Sequence, residues 1–383
     1  MKKVLVVSKV PTHPMCAGNR NAIMAQIDAL KELGCEVHFL YVFVKPLLKK
    51  GDDQSFISTK AFWGNDFHLY RVSKLEKLII NIRNYWHKFF LNYYVKCDDW
   101  YPVFLHHYVN KLNIQYKFDI CIANYFYLSK LFECINIPKK ALFTHDNYAY
   151  KDLAINTKAD ACIDANQSAK AMQRSPYIFA VQDEEYVFFK LLSPRSKVYN
   201  IYGMFDFHPN DIVGNKNILF LSGSNSYNIN GLNWFISTIF PSIINSFPDC
   251  KLIIGGSICK AIDLKYDDKH IVKYGYVENL ESFYAIGDVC INPVFQGTGL
   301  KIKTFESISY DKVTMVHPHS TIGIYRKSDA PLFYSTDPQL WVEYLGMIWH
   351  DKKTISNLKK RNKEYIASLR MHVMDTYRSF LDD

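Results

Sequence analysis

The stretch "QGTGLKIKTFE" at residues 296–306 follows an apolar run, "DVCINPV", at residues 288–294. After Asp288 this run carries no charge, which predicts a parallel strand that is covered on both faces. In an open α/β sheet, ligands gather beyond the carboxyl ends of such strands. The two glycines let the backbone approach a ligand closely. Thr298 is placed to cap a helix, whose amide-rich and positive start favours a phosphate.

Three charged side chains follow the glycines. Lys301 and Lys303 add positive charge, and Glu306 lies two turns into the helix, on about the same side as Gly299. A carboxylate beside an anion site is costly unless it accepts hydrogen bonds, which ribose hydroxyls would supply. The pattern predicts a nucleotide diphosphate site, with amides and lysines on phosphate and Glu306 on ribose. A surface helix with a Lys303–Glu306 pair stays open, since the spacing matches neither G-x-x-x-x-G-K-[ST] nor G-x-G-x-x-G.

The rest of the 383-residue chain alternates short apolar runs with longer amphipathic ones, which indicates parallel sheets with crossover helices. Strands are expected at 3–10, 36–43, 119–126, 140–147, 177–183, 197–203, 218–224, 251–257, 270–276, 288–294, 313–318 and 331–336. Helices are expected at 19–34, 74–96, 228–248, 279–287, 299–310, 337–350 and 353–382. We therefore expect an α/β protein with two Rossmann-like domains, 1–205 and 206–366, followed by a C-terminal helix at 367–383.

Composition and targeting signals bound the class of protein. Hydrophobic residues at 49% and charged residues at 22% are typical of a globular protein, and the net charge of +9 favours an anionic ligand or surface, although a solubility bias would also produce it. Nine cysteines without a C-x-x-C pair indicate buried thiols in a reducing compartment. The start "MKKVLVVSKVPTHP" is interpreted as a strand rather than a signal peptide. Without an apolar run of about 18 residues, we expect a cytoplasmic protein with no membrane span.

One segment has an unusual composition. Residues 74–96, "KLEKLIINIRNYWHKFFLNYYVK", are predicted to be helical and are both basic and rich in aromatic side chains. Packing over the sheet is one interpretation. Peripheral contact with an anionic membrane on its inner face, or with an acceptor, is the other. The helical period does not separate the two.

The second half resembles the nucleotide-binding domain of GT-B glycosyltransferases, particularly glycosyltransferase family 4. The resemblance covers roughly 215–325 and rests on "NINGLNWFISTIFPSIINSFPDCKLIIGGS" and on the order and spacing of "HIVKYGYVENLESFYAIGDVCINPVFQGTGLKIKTFESISYDKVTMVHPHSTIG". It implies two domains facing a central cleft, with the last helix packing back on the first. In the family, the glycine turn holds the donor diphosphate sugar, and a glutamate matching Glu306 binds the ribose.

The first half resembles the family over shorter stretches. "AGNRNAIMAQIDALKELGCEVHFL" resembles the glycine-containing first loop and helix, which places Gly18 near donor phosphate or acceptor. "FTHDN" at 143–147, with "FAVQDEEYVFFK" at 179–190, resembles a subgroup in which a histidine matching His145 lies near the donor sugar. The resemblance thus implies His145 and Glu306 as catalytic residues. The implied donor-binding set is Gly18, Gly223, Gly297, Thr298, Gly299, Leu300, Lys301, Lys303 and Glu306.

Two departures from the family pattern bear on the donor. Many members carry a second glutamate eight positions before the one matching Glu306, where this chain has Thr298. An Arg…Lys pair that often follows the first strand of the second domain is absent from "SGSNSYNING". We expect Lys301 and Lys303 to replace those charges. The identity of the donor sugar and of the base is left open.

The resemblance implies a retaining glycosyltransferase of the hexosyltransferase type, which moves a sugar from a nucleotide diphosphate sugar to a hydroxyl of a glycan or lipid-linked acceptor in bacterial surface polysaccharide synthesis. The leaving diphosphate would be stabilised by preorganised amides at 297–301 and by lysine. No D-x-D motif lies in a suitable loop, so no essential metal or other cofactor is expected. His145 would orient the sugar rather than act as a nucleophile.

Other functions remain as alternatives. A GT-B sugar-nucleotide epimerase would use the same nucleotide site but needs acid/base carboxylates that the sequence does not place. A catalytically degenerate nucleotide-sugar-binding subunit is suggested by Thr298 in place of the usual acid. A nicotinamide dehydrogenase is disfavoured because "PTHPMCAGNR" is not a G-x-G-x-x-G turn. A nucleic-acid role has only the basic segment 74–96 in its favour.

Overall fold

A computed structural model describes residues 1–15, 18–43, 52–90, 96–149, 163–262 and 269–383. Parts of the predicted helix 74–96, together with Cys16 and Cys162, lie outside these ranges. The chain divides into two compact units. The first comprises Met1–Met204, Thr298–Leu300 and His372–Asp383, and the second comprises Phe205–Gly297 and Lys301–Met371.

The described part of the first unit contains a seven-stranded parallel sheet in the order β3-β2-β1-β4-β5-β6-β7. Its strands are β1 (Lys3–Ser8), β2 (Glu36–Phe43), β3 (Phe67–Arg71), β4 (Ile120–Asn124), β5 (Lys139–Phe143), β6 (Tyr177–Ala180) and β7 (Lys197–Asn200). Its helices are α1 (Gly18–Glu32), α2 (Asp52–Trp63), α3 (Lys74–Phe90), α4 (Leu105–Tyr116), α5 (Ala165–Met172) and α6 (Asp183–Leu192). The strand order reverses between β1 and β4, so their carboxyl ends form the expected ligand edge.

The second unit repeats this arrangement with six described parallel strands in the order β10-β9-β8-β11-β12-β13. They are β8 (Asn217–Leu221), β9 (Lys251–Gly255), β10 (Ile271–Gly275), β11 (Val289–Asn292), β12 (Val313–Val316) and β13 (Leu332–Tyr334). The helices are α7 (Ser226–Trp234), α8 (Phe240–Ser246), α9 (Leu280–Tyr284), α10 (Ile302–Ser309), α11 (Pro338–His350) and α12 (Lys352–Asp382). Here the order reverses between β8 and β11.

The expected α/β class, with two Rossmann-like parallel sheets, is confirmed. Strand β1 of the first sheet and strand β11 of the second are buried along nearly their whole length, as their apolar sequences predict. The end of α12 packs on the first sheet, where Phe380 and Tyr377 contact Phe179. Lys139 Nζ donates to the carbonyl of Phe380 at 2.6 Å.

Some elements of the fold differ from the sequence predictions. Strand β3 was not predicted, and it forms the edge of its sheet beside β2. The described cysteines are free thiols, and all of them except Cys134 are buried, in line with the prediction of buried thiols. Within the described residues, no helix combines the length and apolarity that crossing a membrane requires.

Candidate active site

The glycine turn after β11 is held by its own neighbours. Gly297 has a φ of +96° and Gly299 a φ of +79°, values that glycine adopts without strain. The carbonyl of Gly297 accepts hydrogen bonds from Lys301 Nζ at 3.1 Å and from His319 Nε2 at 2.9 Å. A carbonyl fixed from two sides holds the turn in one conformation. Thr304 Oγ1 accepts from Asn292 Nδ2 at 2.9 Å, which anchors the start of α10 to the end of β11.

The helix after this turn begins later than the sequence predicts. Helix α10 starts at Ile302, with Lys301 at the N-cap position and no side-chain cap, so the expectation that Thr298 caps it is wrong. The physical reason is the pair of left-handed glycines, whose φ values cannot be part of a right-handed helix. The first amides of the helix are therefore those from Ile302 onward, rather than those around Thr298.

Lys303 is held by a side chain that the sequence analysis did not single out. Its Nζ lies 3.0 Å from Asn228 Oδ1, and Asn228 Nδ2 donates to the carbonyl of Gly223 at 2.9 Å. Asn228 lies in the first turn of α7, where the side chain of Asn225 caps its backbone amide. One amide side chain therefore connects Gly223, at the end of β8, with Lys303, at the start of α10. Burial lowers the pKa of Lys303.

Among the residues that the structure describes, the side chain of Glu306 has one side-chain hydrogen-bond partner, the hydroxyl of Tyr284, which donates to its Oε1 at 2.6 Å. Tyr284 stacks on Tyr310 with ring centroids 4.4 Å apart. Burial raises the pKa of Glu306, while the Tyr284 hydrogen bond and the charge of Lys303 oppose that rise. Among the described ion pairs, none joins Lys303 to Glu306, so the surface-pair alternative does not describe this helix.

These contacts place the buried Lys301, the half-buried Lys303 and the half-buried Glu306 within five residues of a helix start. Buried charges are costly without a partner of opposite sign. The excess positive charge and the helix amides both favour an anion. The carboxylate can accept hydrogen bonds from hydroxyl donors beside that anion. The arrangement is therefore suited to a phosphorylated ligand that also carries hydroxyl groups.

Thr298 and Leu300 belong to the stretch that groups with the first unit. Thr298 Oγ1 donates to a carboxylate oxygen of Asp146 at 2.8 Å. A Cβ added at Gly299 would lie 3.4 Å from the same oxygen. Thr298 is thus bonded to the carboxylate of Asp146. Leu300 is half-buried.

His145 lies just past β5, at the carboxyl edge of the first sheet, and has a positive φ of 65°. Its Nε2 is 2.7 Å from Asn124 Oδ1, and Asn124 Nδ2 donates to the carbonyl of Val7 at 3.3 Å. Since Oδ1 can only accept, Nε2 carries the proton and Nδ1 is left as an acceptor. Burial lowers the pKa of His145 to about 3, so the ring is neutral at physiological pH.

Aromatic side chains build a stack around His145. The ring of Tyr125 lies 4.4 Å from that of His145 and 5.2 Å from that of Tyr127. Lys9 Nζ lies 4.6 Å from the Tyr127 centroid, and burial, with a smaller effect of Arg83, lowers the pKa of Lys9 to about 7. Tyr125 also has a positive φ, 75°. Strained φ values at two adjacent strand ends are a feature of functional sites.

Gly18 is the first residue of α1 and is exposed. Burial raises the pKa of Tyr125, and the side chain of the next residue, Asn19, opposes that rise, which places the start of α1 near the ring stack. The structure thus brings Gly18 and His145 to the same edge of the first sheet. It brings Gly223, Gly297, Lys301, Lys303 and Glu306 to the corresponding edge of the second.

The sequence analysis missed residues that hold others in place. Asn228, Tyr284, His319 and Asn124 each orient a predicted residue through one hydrogen bond. The sequence could have indicated these residues only by their positions, because Asn124 is the last residue of a strand and Asn228 lies in the first turn of a helix. Among the residues that the structure describes, no cluster of three or more His, Cys, Asp or Glu is arranged to bind a metal ion.

One protein-family model matches part of this chain. The model of the family Glycosyl transferases group 1 matches residues 215–351, which contain the glycine turn, both lysines and Glu306. A curated relative described as an uncharacterized 44.6 kDa protein in the cps region of Klebsiella pneumoniae is 23% identical over 396 aligned residues. That alignment covers 94% of this chain and 93% of the relative.

Solved structures share the fold at low sequence identity. TarM has a TM-score of 0.64 at 10% identity, with 100% of this chain and 97% of that chain covered. Sucrose-phosphate synthase from Thermosynechococcus elongatus has a TM-score of 0.65 at 11% identity, with both chains fully covered. Anabaena HepE in complex with UDP has a TM-score of 0.62 at 11% identity and covers 99% of this chain and 100% of its own. At this level of identity, the likeness shows a shared fold.

Proposed function

We propose that this chain, whose residues 215–351 match the model of the family Glycosyl transferases group 1, moves a sugar from a nucleotide diphosphate sugar to a hydroxyl of a glycan or lipid-linked acceptor. The observation that carries the proposal is the set of Lys301, Lys303 and Glu306 around the start of α10, after the glycine turn at the reversal point of the second sheet. Complexes of HepE and of an S. aureus TarM variant with UDP make a uridine nucleotide the first candidate.

The donor-binding roles follow from chemistry. The diphosphate would lie against the amides of α10 and the two lysines, because negative charge builds on it as the sugar leaves. Ribose hydroxyls would donate to Glu306, whose burial is favourable only when hydrogen bonds reach the carboxylate. Gly297 and Gly299 allow close approach of the turn, and Gly223 lies beside Asn228 at the neighbouring strand end. Thr298 and Leu300 complete the proposed set.

His145 is suited to orienting a sugar rather than to moving a proton. Its neutral ring offers Nδ1 as an acceptor for a sugar hydroxyl, while Asn124 fixes its orientation through Nε2. Positioning of this kind can lower a barrier by several kcal/mol. The acceptor proton would pass to the leaving phosphate, with retention at the anomeric carbon. We propose that no metal ion or other cofactor is needed, because lysines and helix amides supply the positive charge.

The relative from a cps region favours surface polysaccharide synthesis as the process, with nucleotide sugar as one partner and a glycan or lipid-linked saccharide as the other. A lipid-linked acceptor would place the enzyme peripherally on the inner face of the membrane. An epimerase would act on the same nucleotide sugar but would leave it free and isomerised. A binding subunit would bind it without converting it.

The test combines binding with product analysis. A thermal-shift panel of UDP, GDP, ADP and CMP sugars should show selective stabilisation by one diphosphate sugar. CMP sugars, which carry one phosphate, should stabilise least and serve as the internal control. The stabilising sugar is then incubated with a lipid-linked oligosaccharide, and the products are separated by mass spectrometry. A new glycosidic bond supports transfer, an isomerised nucleotide sugar supports the epimerase, and no stabilisation by any nucleotide contradicts the proposal.

A further inference from the structure

Helix α3 turns its polar side chains toward the protein. It begins with a capping box, in which Ser73 Oγ accepts from the amide of Glu76 and a Glu76 carboxylate oxygen accepts from the amide of Ser73. The other carboxylate oxygen of Glu76 accepts from the Tyr70 hydroxyl at 2.7 Å and from the amide of Phe104 at 2.9 Å. The helix is therefore attached to its unit through a buried carboxylate.

Further along the helix, two more polar side chains face the same way. Arg83 donates to the carbonyl of Asp99 at 2.6 Å, and His87 Nδ1 lies 2.6 Å from a carboxylate oxygen of Asp99. Residues 76, 80, 83 and 87 follow the i, i+3, i+4 spacing of one helical face. On that face, Ile80 is the one buried aliphatic side chain. A helix that packs on a core normally buries its apolar side instead.

The apolar side of α3 points away from the protein. Phe89 is 70% exposed and Trp86 is 56% exposed, and the same side of the helix carries other exposed apolar residues, namely Leu75, Leu78, Ile82, Tyr85 and Phe90. On a helical wheel of 100° per residue these seven span about 140°. So many large apolar side chains exposed together mark an interaction surface. We call these seven residues the outer face of α3.

The charges around the outer face are positive. Lys74, which is exposed, borders the outer face, and the half-buried Lys77 lies farther round the helix beyond Lys74. The one carboxylate in the described helix, Glu76, is 1% exposed and faces inward, so it adds no negative charge to that surface. Aromatic side chains with a lysine border and no exposed acid fit the interface of an anionic bilayer, where rings lie among the acyl chains and lysines contact headgroups.

The inner side of α3 is connected to the His145 stack within the first unit. Arg83 bonds to the carbonyl of Asp99, and Lys9 donates to the carbonyl of the next residue, Trp100. Lys9 in turn lies over Tyr127, which begins the stack that continues through Tyr125 to His145. The Asp99–Trp100 segment, which α3 contacts through Arg83 and which Lys9 contacts through its side chain, therefore lies between the proposed membrane-binding helix and the ring stack of His145 along this chain of contacts.

We propose that the outer face of α3 docks the protein on an anionic lipid bilayer. This inference deepens the proposed function, because a lipid-linked acceptor is held at such a surface. Binding combines burial of the apolar side chains with attraction between the lysines and acidic headgroups. It requires neither nucleotide nor acceptor, so it can be tested apart from the transferase reaction.

The experiment is co-sedimentation of the full-length protein with vesicles of phosphatidylcholine, with and without phosphatidylglycerol. The wild type should bind the anionic vesicles and bind the neutral ones weakly. Trp86→Ser with Phe89→Ser should lower the partition coefficient at least about tenfold, since each large apolar side chain contributes ~1.5–3 kcal/mol when buried. Lys74→Gln with Lys77→Gln should weaken binding to anionic vesicles alone.

The matched control is Val187→Ser with Leu191→Ser, which removes two exposed apolar side chains from α6 in the same unit and should bind like the wild type. Circular dichroism and thermal unfolding confirm that each variant is folded. Three results would overturn the proposal: a wild type that binds neither kind of vesicle, a Trp86/Phe89 variant that binds as well as the wild type, and a concentration-dependent dimer, without lipid, that this variant abolishes. The last result would assign the outer face to a second copy of the chain.

Discussion

Tyr284 donates its hydroxyl to Glu306 at 2.6 Å, and this bond holds a half-buried carboxylate at the proposed nucleotide-binding edge of the second unit. In an empty site, that bond and the nearby charge of Lys303 compensate only part of the cost of burial, because the pKa of Glu306 stays above its ordinary value of 4.5. The residue is therefore better suited to binding hydroxyl donors than to stabilising the fold.

The Glu306→Gln variant should separate a role of Glu306 in ligand binding from a role in the stability of the fold. Because the folded pKa is raised, the stability linked to the protonated carboxyl is present below pH 4.5 and is lost as pH rises through the folded pKa. At neutral pH the unliganded variant should therefore be at least as stable as the wild type in thermal unfolding. Its Kd for nucleotide should rise about 10- to 100-fold, as expected when hydrogen bonds of ~1.5–3 kcal/mol to a charged group are lost.

The control for this variant is Tyr284→Phe, which removes the hydroxyl but keeps the ring stacked on Tyr310. It should raise the pKa of Glu306 further and weaken nucleotide binding less than Glu306→Gln does. Binding by the wild type should also decrease as pH falls through the pKa of Glu306. A destabilised Glu306→Gln protein with unchanged nucleotide affinity would mean that the carboxylate is structural.

Lys301→Ala combined with Lys303→Ala should weaken donor binding far more than folding. Removing two cations from a diphosphate site should raise the Kd about 100-fold or more, because charge-assisted bonds to phosphate are the strong ones. The free energy of unfolding should change little. The cost of removing both ammonium groups from water offsets the stabilisation from their hydrogen bonds to Gly297 and Asn228. Calorimetric titration measures the first quantity and denaturant unfolding the second.

The matched control pair is Lys216→Ala with Lys251→Ala, on the same unit but away from α10. This variant removes the same amount of charge and should bind donor like the wild type. If both double variants bind equally well, the lysines after the glycine turn do not hold the diphosphate.

Gly297→Ala tests the turn. Its φ of +96° strains any other residue, and an added Cβ would meet no atom closer than 3.8 Å, so strain rather than a clash sets the effect. We expect a stability loss of about 1–2 kcal/mol and a weaker nucleotide complex. Gly214→Ala is the control, since Gly214 also has a positive φ, +72°, with no atom within 4 Å of an added Cβ. Equal losses of nucleotide affinity in both variants would remove Gly297 from the site.

His145→Ala should lower turnover at least about tenfold with little change in donor affinity, because positioning acts on the reaction rather than on ground-state binding. With a pKa of about 3, His145 should contribute no ionisation to the rate profile between about pH 5 and 8. Asn124→Ala should reproduce part of the loss by releasing the ring. Undiminished turnover in the His145 variant would exclude the orienting role.

Treatment with a chelator tests the proposal that the protein needs no metal ion for transfer. Dialysis of the protein against EDTA, followed by assay in EDTA, should leave transfer within about twofold of the untreated rate. The lysines and the helix amides would then supply the positive charge that a divalent cation provides elsewhere. Loss of activity that Mg²⁺ or Mn²⁺ restores would contradict this account.

The sequence predicted those parts of the fold in which apolar residues form a continuous run or recur with one regular spacing. Buried strands such as β1 and β11 are apolar runs with no charge after Lys3 in β1, and both were located to within a few residues. Strand β3 was missed because its sequence, "FHLYR", alternates polar and apolar residues at a sheet edge. Helix α10 was placed three residues too early, since backbone conformation at Gly297 and Gly299 cannot be read from residue type alone.

The site was predicted as residue types at strand ends, but not as a network of contacts. Lys303 and Glu306 were singled out, whereas Asn228 and Tyr284, which hold them, come from other helices and give no local signal. The orientation of α3, with its apolar side exposed to solvent, could not be predicted from the sequence either. A helical wheel shows that one side is apolar, but only the bonds of Glu76, Arg83 and His87 reveal which side faces the protein.

The most direct measurement is a crystal structure of the protein with the nucleoside diphosphate that stabilises it most in the thermal-shift panel. We predict phosphate oxygens within hydrogen-bond distance of the first amides of α10 and of a lysine at 301 or 303. We also predict a ribose hydroxyl within about 3 Å of Glu306. Nucleotide bound elsewhere, with Glu306 still bonded to Tyr284 alone, would contradict the assignment.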